Sequence, residues 1–312
     1  MNFLACDLGG TKVLLGIFEK VLNDRSPKLL FKKKYVSSDW NSFDSILMDF
    51  LKNECKSISH PSSACFAVAG PLFKNNAKII NLSWNISGNA LKNKFKFEKC
   101  ELINDFAVQI YGIPFLKKNQ YSTIQNGVNI EGANNDLHAI VGAGTGLGIA
   151  RGIISGCKVK ILASEGGHVE YSPKSTSEWE LKIWLKNSLN IERISCERII
   201  SGAGLSRIAE WRLSKSDAQN HPLQKYFKEI KISDAARKEL PEKICRLSNE
   251  GDHLMIEIER IWLGAYASLL GDVALQELCL GGLWISGGTA PKHFKNFKSD
   301  LFMKHFFDKG RL

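Results

Sequence analysis

The sequence predicts an α/β protein built from two domains, and three observations support this. The chain has 312 residues, about twice the length of a common domain. In the first part of the chain, apolar runs of strand length alternate with helical patterns in the order β-β-β-α-β-β-α. A strand, a glycine-rich turn and a second strand occur twice, around residues 7–12 and 142–148. This repetition indicates two related halves that face one anionic ligand.

Composition and charge are those of an ordinary globular protein. Hydrophobic residues make up 44% of the chain and charged residues 24%. The formal net charge is +10, which is most simply a solvated basic surface and also suits an anionic ligand such as a nucleotide. No basic stretch is interleaved with aromatic residues, so the sequence does not predict nucleic-acid binding.

The eight cysteines are scattered and form no CxxC pair, which argues against a zinc knuckle. Because the sequence also shows no signal peptide, we expect the protein in the reducing cytoplasm. The most apolar later stretch, residues 269–284, contains Asp272, Gln276 and Glu277. It therefore predicts a buried helix that leads into a strand, and no membrane span.

The first glycine turn lies between two apolar strands. The elements are a strand at residues 2–7, a turn at 8–12 and a strand at 13–18. Gly9 and Gly10 have a purely structural interpretation, which is the supply of positive φ. They also allow backbone N–H groups to approach phosphate oxygens, while Thr11 offers a hydroxyl and Asp7 can hold hydrated Mg²⁺. The spacing is not that of a Walker A loop.

The rest of the first domain follows the same alternation. The predicted elements are a strand at 29–36, a helix at 40–51, a strand at 64–69, a strand at 100–104 and a helix at 106–111. The first of these helices is recognised by Phe43, Ile46 and Leu47, which fall on one face. Asn104 and Asp105 lie between the end of the last strand and the start of the last helix.

Asp105 has two interpretations. It can be a helix N-cap that accepts hydrogen bonds from the first free backbone N–H groups. It can also be a general base at the carboxyl end of a strand, where α/β folds bind their ligands. The residues alone leave both open.

The second glycine turn contains Gly144, Thr145 and Gly146, between strands predicted at 138–142 and 149–154. It repeats the first hairpin. It is not the GxGxxG dinucleotide fingerprint, because a leucine stands at position 147 where the third glycine should be.

A polar loop with Glu165 and His168 comes next. Its spacing could be that of an ExxH metal helix, but the two glycines between these residues disfavour a helix. A loop with Glu, His and free backbone groups suits a neutral polyhydroxyl ligand better, since carboxylates accept pairs of sugar hydroxyls. Glu197 has a simpler alternative as a surface charge paired with Arg198.

The last part of the chain is mostly helical. Ser175 and Glu178 form a capping box that opens a helix to residue 189. Further helices are predicted at 204–214, at 233–248 with a break near Pro241, and at 252–280, followed by a strand at 283–286. Gly287 and Gly288 after that strand allow the close approach of a flat or phosphorylated ligand.

Taken together, these stretches resemble the bacterial glucokinases of the hexokinase/actin/chaperone superfamily. The matching stretches lie, in the order of the family, at residues 7–11, 102–106, 142–148, 165–168, 197–198 with 201–202, and 286–288. They span nearly the whole chain. The resemblance implies an actin/hexokinase-like (ribonuclease H-like) α/β fold with an interdomain cleft. It implies a small domain at 1–108, a large domain at 109–300 and, at 301–312, the start of a return to the small domain.

The resemblance also implies an activity, the ATP-dependent phosphorylation of glucose at its 6-hydroxyl in glycolysis. Asp105 resembles the general base that takes the proton from that hydroxyl. The implied ligands of the sugar are Asn104, Glu165, His168 and Glu197. The implied phosphate-binding residues are Gly9, Gly10, Thr11, Gly144, Thr145 and Gly146, with Gly287 and Gly288 on the adenosine side. Mg²⁺ would bridge the phosphates with Asp7 nearby.

Two departures from the family and two alternatives remain. The zinc-binding cysteine cluster of related repressors is absent after residue 168, which argues against that branch and against zinc. Family members usually continue past residue 312, so an early end would affect domain closure and activity. The alternatives are a kinase of another hexose or an N-acetylhexosamine, and a catalytically silent sugar sensor. The sequence allows a homodimer and does not fix the oligomeric state.

Overall fold

The computed structural model describes residues 1–21, 26–79, 82–127, 136–156, 158–162, 164–224 and 234–311, without the side chains of 234–238. The chain divides into two compact units, Met1–Tyr121 and Ser122–Leu312. Each unit has a hydrophobic core of its own. The domain boundaries predicted at residues 108 and 300 stay predictions.

Unit 1 is built on a five-stranded sheet. The strands of unit 1 are β1 (Asn2–Leu8), β2 (Lys12–Glu19), β3 (Lys28–Val36), β4 (Ser63–Val68), β5 (Leu72–Phe73), β6 (Asn76–Ile79), β7 (Trp84–Ser87) and β8 (Lys99–Asn104). The large sheet has the order β3-β2-β1-β4-β8, and β5, β6 and β7 form a small sheet. Strand β1 is antiparallel to β2 and parallel to β4, which is parallel to β8. The carboxyl ends of β1, β4 and β8 therefore lie at one end of the sheet.

The described part of unit 1 also contains three α-helices. They are α1 (Phe43–Asp49), α2 (Gly88–Phe95) and α3 (Gln109–Gly112). Helix α1 begins after Ser42, whose side chain accepts a hydrogen bond from the Ser45 N–H, and it buries the apolar face that the sequence predicts. The helix predicted at 106–111 begins later, at Gln109, because residues 105–108 form turns.

The core of unit 1 includes cysteines that act as small hydrophobic residues. Burial raises the pKa of the Cys65 thiol to about 11 and that of the Cys100 thiol to about 12. Both side chains are therefore uncharged at neutral pH, as the sequence predicts for cysteines in apolar strands. The cysteines that the structure describes are all free thiols.

Asn75 closes the free edge of β8. Its side-chain Nδ2 donates to the Cys100 carbonyl at 3.0 Å, and its Oδ1 accepts from the Leu102 N–H at 2.8 Å. The residue has φ 61°, a left-handed conformation that asparagine tolerates better than most residues. The amide therefore takes the place of a neighbouring strand and holds the strand that ends at Asn104.

Unit 2 is built on a four-stranded sheet covered by helices. The strands are β9 (Leu137–Ala143), β10 (Leu147–Ser155), β11 (Lys158–Leu162) and β12 (Gly282–Ser286), in the order β11-β10-β9-β12. The helices are α4 (Thr176–Leu189), α5 (Cys196–Ile199), α6 (Gly202–Leu213), α7 (Asp234–Asn249), α8 (His253–Glu277) and α9 (Asp300–Phe307). Ser175 caps α4 by accepting from the Glu178 N–H at 3.2 Å, at the predicted helix start.

The long helix α8 is the centre of the unit 2 core. Trp262 and Tyr266 are fully buried, and the Tyr266 hydroxyl donates to the Val141 carbonyl at 3.2 Å. The Trp262 indole N–H donates to the Ser201 carbonyl at 3.2 Å. Helix α8 is thereby tied both to strand β9 and to the start of α6.

Helix α7 runs through Pro241 without interruption, so the break predicted there is wrong. Leu240 and Ile244 on either side of the proline are fully buried in the unit 2 core. This packing outweighs the backbone hydrogen bond that the proline cannot donate. None of the described helices combines the length and the apolar character needed to cross a membrane.

Candidate active site

In unit 1, the candidate site residues lie at the carboxyl ends of β1 and β8. In the parallel register, Asp7 of β1 pairs with Ala67, and Ala67 in turn pairs with Ile103 of β8. Asp7 is therefore level with Ile103, and Leu8 is level with Asn104 through Val68, so β1 and β8 end at the same level, two strands apart. Neighbouring strands are about 4.8 Å apart, so the glycine turn after β1 lies roughly 10 Å from the end of β8.

Asn104, and not Asp105, caps the turn that follows β8. Its Oδ1 accepts hydrogen bonds from the N–H groups of Phe106 at 3.1 Å and Ala107 at 3.0 Å. Its Nδ2 donates to the Gly70 carbonyl at 3.2 Å. Both polar atoms of the side chain are thus bonded, and the second hydrogen on Nδ2 has no acceptor among the described residues.

Asp105 has an environment that suits a base. Its N–H donates to the Val68 carbonyl at 3.0 Å, which fixes the backbone at the strand end. Burial of the carboxylate raises the pKa of Asp105, the negative charge of Asp7 raises it further, and the nearby N–H of Phe106 partly offsets both effects. The residue remains accessible at the surface of unit 1. A raised pKa makes the ionised carboxylate a better proton acceptor.

The first glycine turn is held by Ser37. The Ser37 N–H donates to the Thr11 carbonyl at 3.0 Å, and the Ser37 hydroxyl donates to the Gly9 carbonyl at 3.2 Å. Within the turn, the Gly9 N–H donates to the Lys12 carbonyl at 3.0 Å. Within the described part of the chain, the N–H groups of Gly10 and Thr11 have no protein acceptor. They are the groups that a phosphate oxygen would use.

Asp7 fits a role near a magnesium ion. The residue is exposed, and no described residue forms a hydrogen bond or ion pair with its carboxylate. Carboxylate oxygens are the ligands that Mg²⁺ prefers, often through water. The donor set at this end of the sheet therefore fits hydrated Mg²⁺ with Asp7 as the nearby carboxylate.

Unit 2 has its own group of candidate site residues, where two glycine turns meet. Strand β12 is parallel to β9, with Ser286 paired to Gly142, so residues 287–289 lie beside the turn at 144–146. The Ala143 carbonyl accepts from the Thr289 N–H at 3.2 Å and from its hydroxyl at 2.8 Å. The Gly144 N–H donates to the Gly146 carbonyl at 2.8 Å, and Thr145 is exposed at the tip of the turn.

The amino end of helix α6 also reaches this turn. The Gly202 N–H donates to the Gly144 carbonyl at 2.8 Å, and the Ser201 hydroxyl caps the helix by accepting from the Gly204 N–H at 3.0 Å. The positive end of the helix dipole therefore lies at the glycine turn, an arrangement that favours anions. In the sequence, Ser201 and Gly202 contribute only to the family resemblance. A serine before a helix is nevertheless a recognisable N-cap, and it could have predicted this helix start.

Leu147, the first residue of β10, is where the predicted sugar ligands of unit 2 converge. The Glu197 Oε2 accepts a hydrogen bond from the Leu147 N–H at 3.1 Å. A Cβ placed on Gly167 would lie 2.1 Å from the Leu147 carbonyl oxygen, so the turn that carries Glu165 and His168 packs directly on the same residue.

The three side chains around Leu147 keep free hydrogen-bonding groups. Glu165 and His168 are exposed, and the His168 Nε2 lies 3.9 Å from the Glu165 Oε2. Glu197 is half-buried, and its carboxylate bonds to Leu147, not to Arg198 as the alternative interpretation supposed. No local pattern predicts this bond, since the two residues are separated by 50 positions. Among the residues that the structure describes, the second carboxylate oxygen of Glu197 forms no hydrogen bond, so it is open to a ligand hydroxyl.

Comparison with solved structures defines the class of protein. The structure of a glucokinase from an Antarctic psychrotroph has a TM-score of 0.79 and 27% sequence identity, covering 99% of this chain and 90% of that one. A ROK family glucokinase from Streptomyces griseus, in complex with glucose and AMPPNP, has a TM-score of 0.58 at 17% identity, covering 98% and 88%. The fold is that of the sugar kinases with the actin/hexokinase-like architecture, and this prediction is confirmed.

Sequence comparison defines the family. A family model described as Glucokinase matches residues 4–312. A glucokinase from Synechocystis sp. is 35% identical over 327 residues, which cover 100% of this chain and 90% of that relative. The chain belongs to the glucokinase family, and the resemblance drawn from the motifs is confirmed.

Proposed function

We propose that this protein transfers the γ-phosphoryl group of ATP to the 6-hydroxyl of D-glucose and so forms glucose 6-phosphate for glycolysis. The observation that carries the proposal is the position of Asp105. The carboxylate stands at the end of β8, at the same end of the sheet as the glycine turn that follows β1. Membership of the glucokinase family supports the choice of sugar, and the AMPPNP bound by the Streptomyces griseus relative supports the choice of ATP.

Asp105 has the central chemical role. Its ionised carboxylate accepts the proton of the 6-hydroxyl as the oxygen attacks the phosphorus atom, and the bond between the γ-phosphorus and the bridging oxygen of ADP breaks. Asp105 is exposed on unit 1, but the raised pKa of its carboxyl makes the carboxylate a stronger proton acceptor for the sugar hydroxyl. The hydroxyl must lie within hydrogen-bond distance of Asp105 for this transfer.

The other residues orient the two substrates. Glu165, His168 and Glu197 bind sugar hydroxyls in unit 2, and Asn104 contributes its remaining Nδ2 hydrogen in unit 1. The backbone N–H groups of the glycine turns hold the phosphate oxygens. Mg²⁺, held near Asp7 through water, would neutralise charge on the phosphates. Water competes with the 6-hydroxyl of glucose as the acceptor of the phosphoryl group. Several hydrogen bonds that orient the sugar therefore favour transfer to glucose over hydrolysis of ATP.

The decisive experiment is a coupled assay of ADP release from MgATP with glucose, for the wild type and Asp105→Asn. General-base catalysis is worth about 10²- to 10⁴-fold, so kcat should fall by that factor while calorimetry still detects glucose binding. Glu101→Gln is the matched control, since it removes an exposed carboxylate from the same strand and should leave kcat unchanged. A near-normal kcat for Asp105→Asn would contradict the role of Asp105.

A sugar panel tests the substrate. We expect glucose to give the highest kcat/KM among glucose, other hexoses and N-acetylhexosamines. A higher value for another sugar would move the assignment to that sugar. The absence of ADP release with every sugar, together with measurable sugar binding, would support a silent sensor.

We place the reaction in the cytoplasm, because the described cysteines are free thiols and a reducing compartment keeps them so. The homodimer stays a prediction, which sedimentation of the purified protein would test.

A further inference from the structure

A second group of reactive side chains lies in unit 2, apart from the candidate active site. Cys245 of α7, Glu259 of α8 and His293, in the segment after β12, each bring one donor atom to within 4.8 Å of the other two. Glu259 and His293 are almost fully buried, with exposed fractions of 7% and 2%, and Cys245 is partly buried. The group has no part in the proposed phosphoryl transfer.

One spacing in this cluster suits a tetrahedral metal ion. Bonds of about 2.3 Å to sulfur and about 2.0 Å to nitrogen or oxygen place tetrahedral ligand atoms about 3.3–3.6 Å apart. The Cys245 Sγ lies 3.6 Å from the His293 Nε2, which matches this range. The Glu259 Oε1 lies 3.3 Å from the other ring nitrogen, Nδ1, so binding of one ion by all three side chains requires the imidazole ring or the carboxylate to rotate.

Two further observations point to a ligand. The His293 Nδ1 is buried and forms no hydrogen bond of acceptable geometry, although it faces Glu259. The other carboxylate oxygen of Glu259 accepts a hydrogen bond from the Ser248 hydroxyl at 2.5 Å, which fixes the carboxylate in position. Hydrogen bonds of this kind to a ligand carboxylate are common around metal sites.

We propose that Cys245, Glu259 and His293 bind a single Zn²⁺ ion, with water as the fourth ligand. Sulfur, imidazole nitrogen and carboxylate oxygen are the donor types that zinc takes in proteins. On binding, the Cys245 S–H bond breaks, its proton goes to solvent and the thiolate binds the ion. Zinc undergoes no change of oxidation state.

The site would have a structural effect on the nucleotide side of unit 2. The backbone N–H of His293 donates to the Thr289 carbonyl at 3.2 Å. Thr289 in turn donates hydrogen bonds to the Ala143 carbonyl beside the second glycine turn. An ion held by His293, α7 and α8 would therefore fix the segment that carries Gly287 and Gly288.

Metal analysis of the purified full-length protein tests the proposal. After dialysis against metal-free buffer and loading with one equivalent of ZnCl₂, we expect about one zinc per chain in the wild type by mass spectrometry of the metal content. Cys245→Ser should lose at least ten-fold in zinc affinity. Cys279→Ser is the matched control, because Cys279 is also a partly buried thiol of unit 2 outside the cluster.

A spectroscopic readout makes the test independent of activity and of variant folding. Co²⁺ added to the wild type should give a thiolate-to-cobalt charge-transfer band, which Cys279→Ser keeps and Cys245→Ser loses. Zinc should also raise the melting temperature of the wild type, whereas Mg²⁺ should not. The proposal is overturned if the wild type shows no cobalt–thiolate band, or if Cys245→Ser binds zinc as well as the wild type. Such results would identify a metal-free hydrogen-bonded cluster and leave the glucokinase proposal untouched.

Discussion

Asp105 combines a proposed chemical role with a cost in stability. Burial raises the pKa of its carboxyl in the folded state above the ordinary value, and Asp7 adds to this effect. The sign follows from linkage, because a carboxyl with a raised folded pKa favours folding only while it is protonated. Its contribution is lost as the pH rises from the unfolded pKa through the folded pKa. We therefore expect the ionised Asp105 to lower the stability of the fold at neutral pH, by a small amount because the side chain is exposed on unit 1.

Asp105→Asn should accordingly be at least as stable as the wild type at pH 7, although we expect it to have lost most of its activity. The midpoint of urea unfolding, followed by circular dichroism, should stay the same or rise. The difference should disappear in buffers below the ordinary aspartate pKa of about 3.9, where the wild-type carboxyl is also neutral. Glu101→Gln serves as the control. A clear loss of stability in Asp105→Asn at pH 7 would show that the charge makes a stabilising contact.

Glu165 is predicted to act on sugar binding. A hydrogen bond to a charged group contributes about 1.5–3 kcal/mol, so Glu165→Gln should raise the KM for glucose by about 10- to 100-fold. The KM for ATP should change little, which initial-rate kinetics with each substrate varied would show. Glu250→Gln removes another exposed carboxylate of unit 2 and should leave both constants unchanged. An unchanged glucose KM in Glu165→Gln would remove this residue from the sugar site.

At the scale of single residues, the sequence located the candidate carboxylates and could not assign their contacts. The sequence predicts Asp105 as an acid at a strand end. The side chain that accepts the hydrogen bonds from the next N–H groups is that of Asn104. The bond from the Leu147 N–H to Glu197 depends on how α5 packs beside β10, and no local pattern records that. Local chemistry is visible in a sequence, whereas long-range partners are set by packing.

At the scale of elements, the two glycines after β12 have different reasons to be glycine. Gly287 has φ +89°, and a Cβ there would lie 2.4 Å from the Ala143 carbonyl oxygen. Gly288 is exposed, and a Cβ there would meet no atom within 4 Å. Gly287 is therefore required by the fold, and Gly288 is free for a role in ligand binding.

The two alanine variants separate these reasons. Gly287→Ala should lower the melting temperature, because its Cβ collides with Ala143 in a backbone conformation that alanine disfavours. Gly288→Ala should keep the wild-type melting temperature and raise the KM for ATP, since a methyl group would intrude where the adenosine side is proposed. Thermal unfolding and ATP kinetics on both proteins test the pair. An unchanged ATP KM in Gly288→Ala would place the nucleotide elsewhere.

Elements with a strong apolar period were predicted well, and errors occurred where tertiary contacts decide. Helix α1 buries the face that its pattern indicates, and α4 begins at the predicted cap. Pro241 does not break α7, because the core holds the helix on both sides of it. The helix after Asn104 begins later than its composition suggests, since the capped turn precedes it. Propensity places an element, and packing sets its ends.

At the scale of the molecule, the sequence predicted the α/β class and the family because the motifs occur in a fixed order along nearly the whole chain. Pairing of strands was harder to predict. The parallel pairing of β12 with β9 joins residues that lie more than a hundred positions apart, and it is this pairing that brings Gly287 beside Ala143. The order of the motifs identifies this fold only because it resembles the order in a known family. It does not predict which strands pair.

The net charge of +10 gives a last prediction for the whole molecule. A basic protein attracts anionic MgATP over a distance set by the Debye length, which falls from about 10 Å at 0.1 M salt to about 3 Å at 1 M. The KM for ATP should therefore rise several-fold over this range, while the KM for neutral glucose stays nearly constant. Potassium chloride and potassium acetate should act alike at equal ionic strength, because screening does not depend on the anion. Equal changes in both KM values would show that salt acts on the fold and not on the approach of the nucleotide.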